Sequence, residues 1–348
     1  MKPRLGFLGV GWIGRHRLEA VVGSGVAEVV AVADTIPENA LAAAKLVPTS
    51  IAGSLDELLE AELDGLVIAT PSALHAEQAT AALERGMAVF CQKPLARNAS
   101  ETSRVVEAAR QVNRLLGVDL SYRRVEGARR MRELIRAGEL GSVYAADLVF
   151  HNAYGPDKAW CYNPALSGGG CVIDLGSHLV DLALWILEPA TVTRVSSHLF
   201  AKGEPLGNRR DVVEDFALAE LDLGQRTIVR LACSWNLPAG RDAVIEASFV
   251  GTAGGAKLAN VGGSFYDFTA DRFRGTTSER LCSPPDAWGG RAIVEWATQL
   301  ACDPSFDPSV ERVTDVAAVL DAIYGPPLSR PRRGVRETAV LLAHGSRS

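Results

Sequence analysis

The stretch "GFLGVGWIGRH", residues 6–16, constrains this chain more than any other, because an apolar run is broken by glycines at positions 9, 11 and 14. The spacing is G-x-G-x-x-G, set directly after a strand-like run and directly before a helical one, which is the context that gives the motif meaning. Gly9 permits a tight turn, Gly11 lets backbone approach a pyrophosphate, and Gly14 lets helix and strand pack closely. A helix opening at Trp12 and Ile13 would offer free N–H groups and a partial positive charge to an anion. Asp34 stands 20 residues past Gly14, at the end of the next apolar run. There a carboxylate can accept hydrogen bonds from both hydroxyls of an adenosine ribose. It would repel a 2′-phosphate, and no arginine follows it in "DTIPEN", so NAD is expected ahead of NADP. The plainer alternative is an empty strand-to-helix turn with Asp34 capping the next helix; spacing and context together favour the dinucleotide site. A signal peptide over the same residues is rejected, because the stretch is glycine-rich, runs into Arg15-His16-Arg17 and has no small-residue cleavage site.

From residue 5 to about 120 short apolar runs alternate with helical segments: "LGFLGV", "EVVAVAD", "GLVIAT", "AVFCQ" and "LLGVDL" are separated by stretches such as "PENALAAAKL" and "SALHAEQATAALERG". That alternation predicts a doubly wound parallel sheet covered on both faces, a Rossmann domain over residues 1–121. Beyond it the period changes. A helix over "GARRMRELIRAGEL" is followed by alternating runs in "SVYAADLVFH", "TVTRVSSHLF", "EDFALAELDL", "RTIVRLACSW" and "DAVIEASFV", which predict strands with one wetted face. Gly224-Gln225 reads as a two-residue hairpin turn between the third and fourth of these. The second unit, residues 122–348, is therefore expected to be an α+β domain, an open and mostly antiparallel sheet with helices on one face. "GPPLSRPRRG", residues 325–334, reads as a surface segment and the last dozen residues as a short helix.

The chain has 348 residues, enough for two ordinary cores. A formal charge of -5 argues against nucleic acid as a partner, since phosphate neutralisation needs a concentrated basic surface. Six scattered cysteines without a C-x-x-C pair read as reduced thiols of a cytoplasmic protein, with no metal site. No membrane span is expected: the longest apolar run, "LVDLALWIL", is interrupted by Asp181. The 30 arginines against 6 lysines are read as a trace of GC-rich coding. Those at 123, 124, 129, 130, 132 and 136 read as a solvated helix face, with phosphate binding as the sharper alternative.

Two further segments, "ATPSALHAEQATAALERGMAVFCQKPLA" (69–96) and "SGGGCVIDLGSHLVDLALW" (167–185), together with the amino-terminal glycines, resemble the Gfo/Idh/MocA family of NAD(P)-dependent oxidoreductases, over almost the whole chain and in the right order. The resemblance implies that Thr70, Pro71 and His75 line the cofactor. It implies that "QKP" is the family's E-K-P motif, with Lys93 beside the nicotinamide and Pro94 a cis proline. It also implies that "DLGSH" is the family's D-x-G-x-H, with Asp174 binding substrate and His178 serving as acid or base. Gln92 departs from the usual glutamate; a neutral amide can still bond the nicotinamide ribose or carboxamide. Independently, Asp174 and His178 are four apart and share a helix face, with Asp181 on the same stripe, while Leu175, Leu179, Leu182 and Ile186 form the buried side. Gly168–Gly170 ahead of them read as room for backbone to approach a ligand. Taken singly, each has a bland role: a core histidine, a solvated lysine, a helix cap.

The function expected is oxidation of a ring hydroxyl of a sugar, nucleotide sugar, aminoglycoside or cyclitol to a ketone, or the reverse, with antibiotic-sugar biosynthesis as one setting. Neutral His178 would take the hydroxyl proton and Lys93 would stabilise the alkoxide, with Asp174 on a neighbouring hydroxyl and Asp181 supporting the histidine. Tyr122, Arg123, Asn152, Trp160, Asn163, Trp235 and Asn236 are the candidate contacts for a small polyhydroxylated substrate. The alternatives are an NAD-dependent glycosidase of the same family and a non-catalytic NAD-binding sensor. A homodimer or homotetramer through the second sheet is expected.

Overall fold

The computed structural model describes residues 1–209, 211–224 and 227–325. The first layer is built from β1 (Arg4–Leu8), α1 (Trp12–Ser24), β2 (Glu28–Ala33), α2 (Pro37–Ala44), β3 (Ser50–Ile51), α3 (Leu55–Glu60), β4 (Gly65–Ile68), α4 (Ser72–Glu84), β5 (Ala88–Cys91), α5 (Ala99–Gln111) and β6 (Leu116–Val118). Its six strands are all parallel, in the order β3-β2-β1-β4-β5-β6. β4 and β5 are buried at every residue, as parallel strands covered on both faces must be. The order reverses between β1 and β4, and a crevice opens at the carboxyl ends of strands at such a switch point. β3, with both residues exposed, carries too little apolar pattern to be read from sequence.

The chain continues through α6 (Glu126–Arg136), β7 (Val143–Asn152), α7 (Pro164–Ser167), a π-helical turn (Val172–Gly176), α8 (Ser177–Ile186), β8 (Arg194–Ala201), β9 (Glu204–Pro205), β10 (Phe216–Asp222), β11 (Ile228–Ser234), β12 (Ala243–Gly251), β13 (Gly254–Asn260), β14 (Phe268–Arg274) and β15 (Thr277–Cys282). These strands form one nine-stranded sheet, β15-β14-β13-β12-β7-β11-β10-β8-β9. It is antiparallel throughout except where β7 and β11 run parallel at its centre, a pairing that alternation alone does not reveal. α6 and α8 cover one face and share a core with Leu148, Phe150, Leu231 and Phe249. β10 and β11 pair antiparallel as expected. The two-residue turn at Gly224-Gln225 involves Gln225, which lies outside the described residues, but the Leu223 N–H to Thr227 carbonyl bond closes a loop longer than two residues. The segment 325–334 beyond Gly325 and the terminal helix also lie outside them.

Of the two last helices, α9 (Arg291–Cys302) returns to the first sheet, where Trp296 meets Phe90 of β5 with ring centroids 5.5 Å apart, and α10 (Arg312–Tyr324) packs between α5 and α8. The helical run Pro164–Ile186 is long and apolar enough to cross a bilayer, contrary to the expectation from its interruption at Asp181, yet 83% of its apolar window is buried inside the fold. It is the central helix of the second core.

Candidate active site

At the switch point the backbone is shaped by the glycines. Gly9 has φ +84°, and a Cβ there would lie 2.6 Å from the Ala69 carbonyl oxygen. A Cβ on Gly14 would lie 2.0 Å from the Gly9 carbonyl oxygen, so α1 approaches β1 only because that residue is glycine. Gly11 caps α1 without any side-chain hydrogen bond, leaving the first N–H groups of the helix for an anion. Asp34 follows β2 and reaches the same loop: Oδ2 accepts the Val10 N–H at 2.8 Å, while Oδ1 accepts the Ile36 N–H at 2.8 Å. The carboxylate therefore ties two loops together without capping α2, whose N-cap is Ile36 and which has no side-chain cap among the described residues, so the plainer capping role is not the one it fills. These features fit a dinucleotide.

From this loop a cavity of about 690 Å³ runs between the two sheets. Gly11, Trp12, Ile13, Thr70, Pro71, His75, Gln92 and Lys93 line it from the first lobe, and Tyr122, Trp160, Asp174 and His178 from the second. Gly9, Gly14, Asp34 and Pro94 stand behind this lining. Lys93 leaves the end of β5, and the Lys93–Pro94 peptide is cis. Its ammonium donates to the Asp174 carbonyl oxygen at 2.6 Å and to Asp174 Oδ1 at 2.9 Å, across the lobes. The other carboxylate oxygen accepts Trp235 Nε1–H at 3.1 Å.

His178 sits one helical turn beyond Asp174, its ring 4.7 Å from that of Tyr122. Its Nδ1 is buried without a hydrogen-bond partner among the described residues. Burial, then the Lys93 ammonium and the Arg17 guanidinium, hold its pKa well below the usual imidazole value. The ring is neutral at working pH and can accept a proton. His75 bridges two loops: Nδ1 lies 2.7 Å from the Pro94 carbonyl oxygen and Nε2 2.7 Å from that of Thr70. Cys161 also lines the cavity, but burial pushes its thiol up to about 11, which keeps it protonated.

Several sequence candidates stand elsewhere. Arg123 pairs with Asp181, Nε donating at 2.8 and 3.1 Å, so neither is free for the proposed roles: Asp181 does not reach His178, and Arg123 does not line the cavity. Two charges on facing segments compensate one another where each is shielded from water. Asn163 caps α7 through Oδ1, Asn236 accepts the Gly155 N–H, and Asn152 ends β7 with its Oδ1 buried. Trp235 lies behind Asp174 and packs edge-on against Tyr162. Gly168–Gly170 face Arg97, Tyr324 and Glu214 in place of a ligand. Of the arginine cluster, Arg124, Arg130 and Arg132 pair with Glu295, Glu126 and Glu188.

Sequence reasoning missed Arg17, Asp119, Phe265, Tyr266 and Trp288. Arg17 donates to Asp119 Oδ2 at 2.6 Å and to Ser121 Oγ at 3.1 Å, behind Gln92. The signal was present: Arg17 shares the buried stripe of α1 with Gly14, Leu18 and Val21, and an arginine on such a stripe needs a partner. Phe265, Tyr266 and Trp288 give the cavity an aromatic wall.

Residues 4–120 match the model of an oxidoreductase family with an NAD-binding Rossmann fold, and residues 128–257 match the GFO/IDH/MocA C-terminal domain. A putative UDP-kanosamine synthase oxidoreductase subunit of Amycolatopsis mediterranei is 33% identical over 275 residues, 74% of this chain and 75% of that one. The D-glucoside 3-dehydrogenase of Escherichia coli is 28% identical over 214 residues, 58% of this chain and 60% of that relative's length. The fold is that of a levoglucosan dehydrogenase solved with NADH, with a TM-score of 0.81 at 20% identity over 93% of this chain and 96% of that one. The chain belongs to the GFO/IDH/MocA family of NAD(P)-dependent oxidoreductases, and its first domain is that family's NAD-binding Rossmann fold.

Proposed function

We propose that the protein oxidises a ring hydroxyl of a sugar, nucleotide sugar, aminoglycoside or cyclitol to a ketone, or reduces the ketone, with residues 1–121 holding NAD and residues 122–348 the substrate. The observation that carries this reading is the meeting of Lys93 from one lobe with Asp174 and His178 from the other in a single cavity beside the glycine loop. Bound nicotinamide supplies the hydride acceptor or donor. Neutral His178 takes the hydroxyl proton, and the Lys93 ammonium stabilises negative charge growing on the same oxygen. Asp174 holds Lys93 in place through Oδ1 and its carbonyl, while Trp235 fixes the second carboxylate oxygen. Tyr122, Trp160 and the Tyr266 and Trp288 rings offer flat apolar surfaces to the C–H face of a sugar.

The names of the relatives, a D-glucoside dehydrogenase and a kanosamine-pathway subunit among them, support a sugar-like substrate and leave antibiotic-sugar biosynthesis as one setting. Asp34 at the ribose end supports NAD over NADP, since a carboxylate there repels a 2′-phosphate. We place the protein in the cytoplasm and pair it, as a homodimer or homotetramer, through the open face of the second sheet. The test is a screen of free sugars, inositols, nucleotide sugars and aminoglycosides, read by absorbance of the reduced nicotinamide. Lys93→Ala or His178→Ala lowers turnover about 100-fold or more while NAD still binds; near-normal turnover in either variant overturns the assignment.

A further inference from the structure

The second lobe contains a buried carboxylate that the reaction does not use. Glu214, just ahead of β10, is 1% exposed. Its Oε1 and Oε2 each lie 3.0 Å from the Gly170 nitrogen, whose N–H they share. Oε1 also accepts the Val172 N–H at 2.9 Å and the Tyr324 hydroxyl at 2.6 Å, and the Glu214 carbonyl accepts the Cys171 N–H at 3.0 Å. Three consecutive backbone donors at the entrance to the π turn and α8 therefore end on one residue.

The approach is close enough to exclude side chains. A Cβ on Gly170 would lie 1.9 Å from the Glu214 carbonyl oxygen, and one on Gly169 would lie 2.1 Å from the Tyr324 hydroxyl. The glycines accordingly make room for this anchor. Downstream, the Gly170 carbonyl accepts the Asp174 N–H at 3.0 Å, and Asp174 in turn holds the Lys93 ammonium. A continuous set of hydrogen bonds runs from Glu214 to the lysine.

An ion in such a place is costly. Among the described residues no cation pairs with Glu214, and burial raises its pKa although four donors favour the ionised form. A well-packed apolar side chain would fill the volume at lower cost. What an apolar side chain cannot do is receive two amides and a phenol from two different segments and fix their relative positions.

We propose that Glu214, assisted by Tyr324, is a positioning residue for the reaction: it sets the start of the helix that carries Asp174 and His178, and so the place where Asp174 meets Lys93. The proposal rests on the reading that Lys93, Asp174 and His178 act on the substrate. Glu214→Gln keeps the volume and one oxygen acceptor but turns an amide N–H₂ toward the Gly170 N–H; Tyr324→Phe removes one donor.

With the full-length enzyme and any alcohol that reduces NAD, kcat per folded site falls about 10-fold in Glu214→Gln and by a smaller factor in Tyr324→Phe, because sub-ångström misplacement of reacting groups acts on turnover. KM and NAD affinity, the latter read by quenching of tryptophan fluorescence, stay within about two-fold, since the glycine loop and Asp34 lie elsewhere. In parallel, the His178 ring is followed by NMR through a pH titration, its signal assigned by loss in His178→Asn. Glu214→Gln moves that titration. A variant with lowered melting temperature, unchanged kcat per folded site and an unchanged His178 titration overturns the proposal, leaving Glu214 a stabilising residue only. Failure of the wild type to turn over any alcohol overturns the dehydrogenase reading, and the titration still decides on Glu214.

Discussion

Gln92 occupies the edge of the cavity where a glutamate would be the related family's choice, and its surroundings explain the amide. Nε2 donates to Asp119 Oδ2 at 2.8 Å and Oε1 accepts the Lys93 N–H at 3.0 Å. Asp119 is fully buried and already holds Arg17 and the Ser121 hydroxyl. In Gln92→Glu two carboxylate oxygens would meet at the same separation. Their bare repulsion at such a distance is about 6 kcal/mol at an effective dielectric of ~20. Keeping the introduced carboxyl protonated costs less, about 3.7 kcal/mol at pH ~7 for a group with a reference pKa near 4.3. Protonation wins, and the new O–H replaces the amide as donor to Asp119. The folded variant then binds a proton that its unfolded chain releases above pH ~4.3, so its deficit against the wild type grows with pH by up to ~1.4 kcal/mol per unit. At neutral pH the loss approaches ~4 kcal/mol, less whatever Arg17 returns; with ~2.1 cal/mol/K of unfolding entropy per residue this lowers the melting temperature by roughly 5 °C. Thermal melts of both proteins from about pH 5 to about pH 8 check it. A deficit that does not change with pH, or no deficit, refutes the account of why position 92 is neutral.

Trp235→Phe leaves a smaller aromatic ring beside Tyr162 but removes the donor to Asp174 Oδ2. A neutral donor to a half-exposed carboxylate is worth about 1.5 kcal/mol, so kcat/KM falls by about 10-fold with NAD affinity unchanged, and a change under about two-fold in steady-state assays counts against the positioning of Asp174 by this indole. Burial depresses the pKa of His16, His75, His151 and His178. Below about pH 6.5 the unfolded chain takes protons that the folded protein refuses, so this contribution to stability is complete above pH ~6.5 and is lost as pH falls from there toward the folded values. His178→Asn flattens the slope of melting temperature against pH in the window below about 6.5; an unaltered slope shows that His178 is not held neutral by the fold.

What could be read in the sequence was what the backbone itself demands. Gly9 and Gly14 answer contacts with atoms of their own β-α unit and its neighbouring strand, and the strand–helix rhythm of residues 5–120 repeats a local pattern, so motif spacing locates the glycine loop and the first sheet. That Lys93, Asp174 and His178 stand together in one cavity was legible because each lies inside a short motif at the end of a strand or on the first turns of a helix. The choice between a substrate ligand and a structural ion at Arg123 depends on Asp181, 58 residues away, and no local pattern announces which acid an arginine meets. The same holds for Arg17 and Asp119, 102 residues apart, and for Glu214, whose role exists only where Gly170 and Tyr324 converge on it. β13 opens with two glycines, and β14 and β15 carry adjacent charged residues, Asp271-Arg272 and Glu279-Arg280, which dilutes alternation to the point where only the ladder running outward from β12 defines them. The site is thus assembled from two kinds of information. The groups proposed to react are presented by local backbone geometry, whereas the groups that fix them, Trp235 behind Asp174 and Asp119 behind Gln92, are selected by long-range packing. Their assignment follows from asking where each buried donor and acceptor finds its partner.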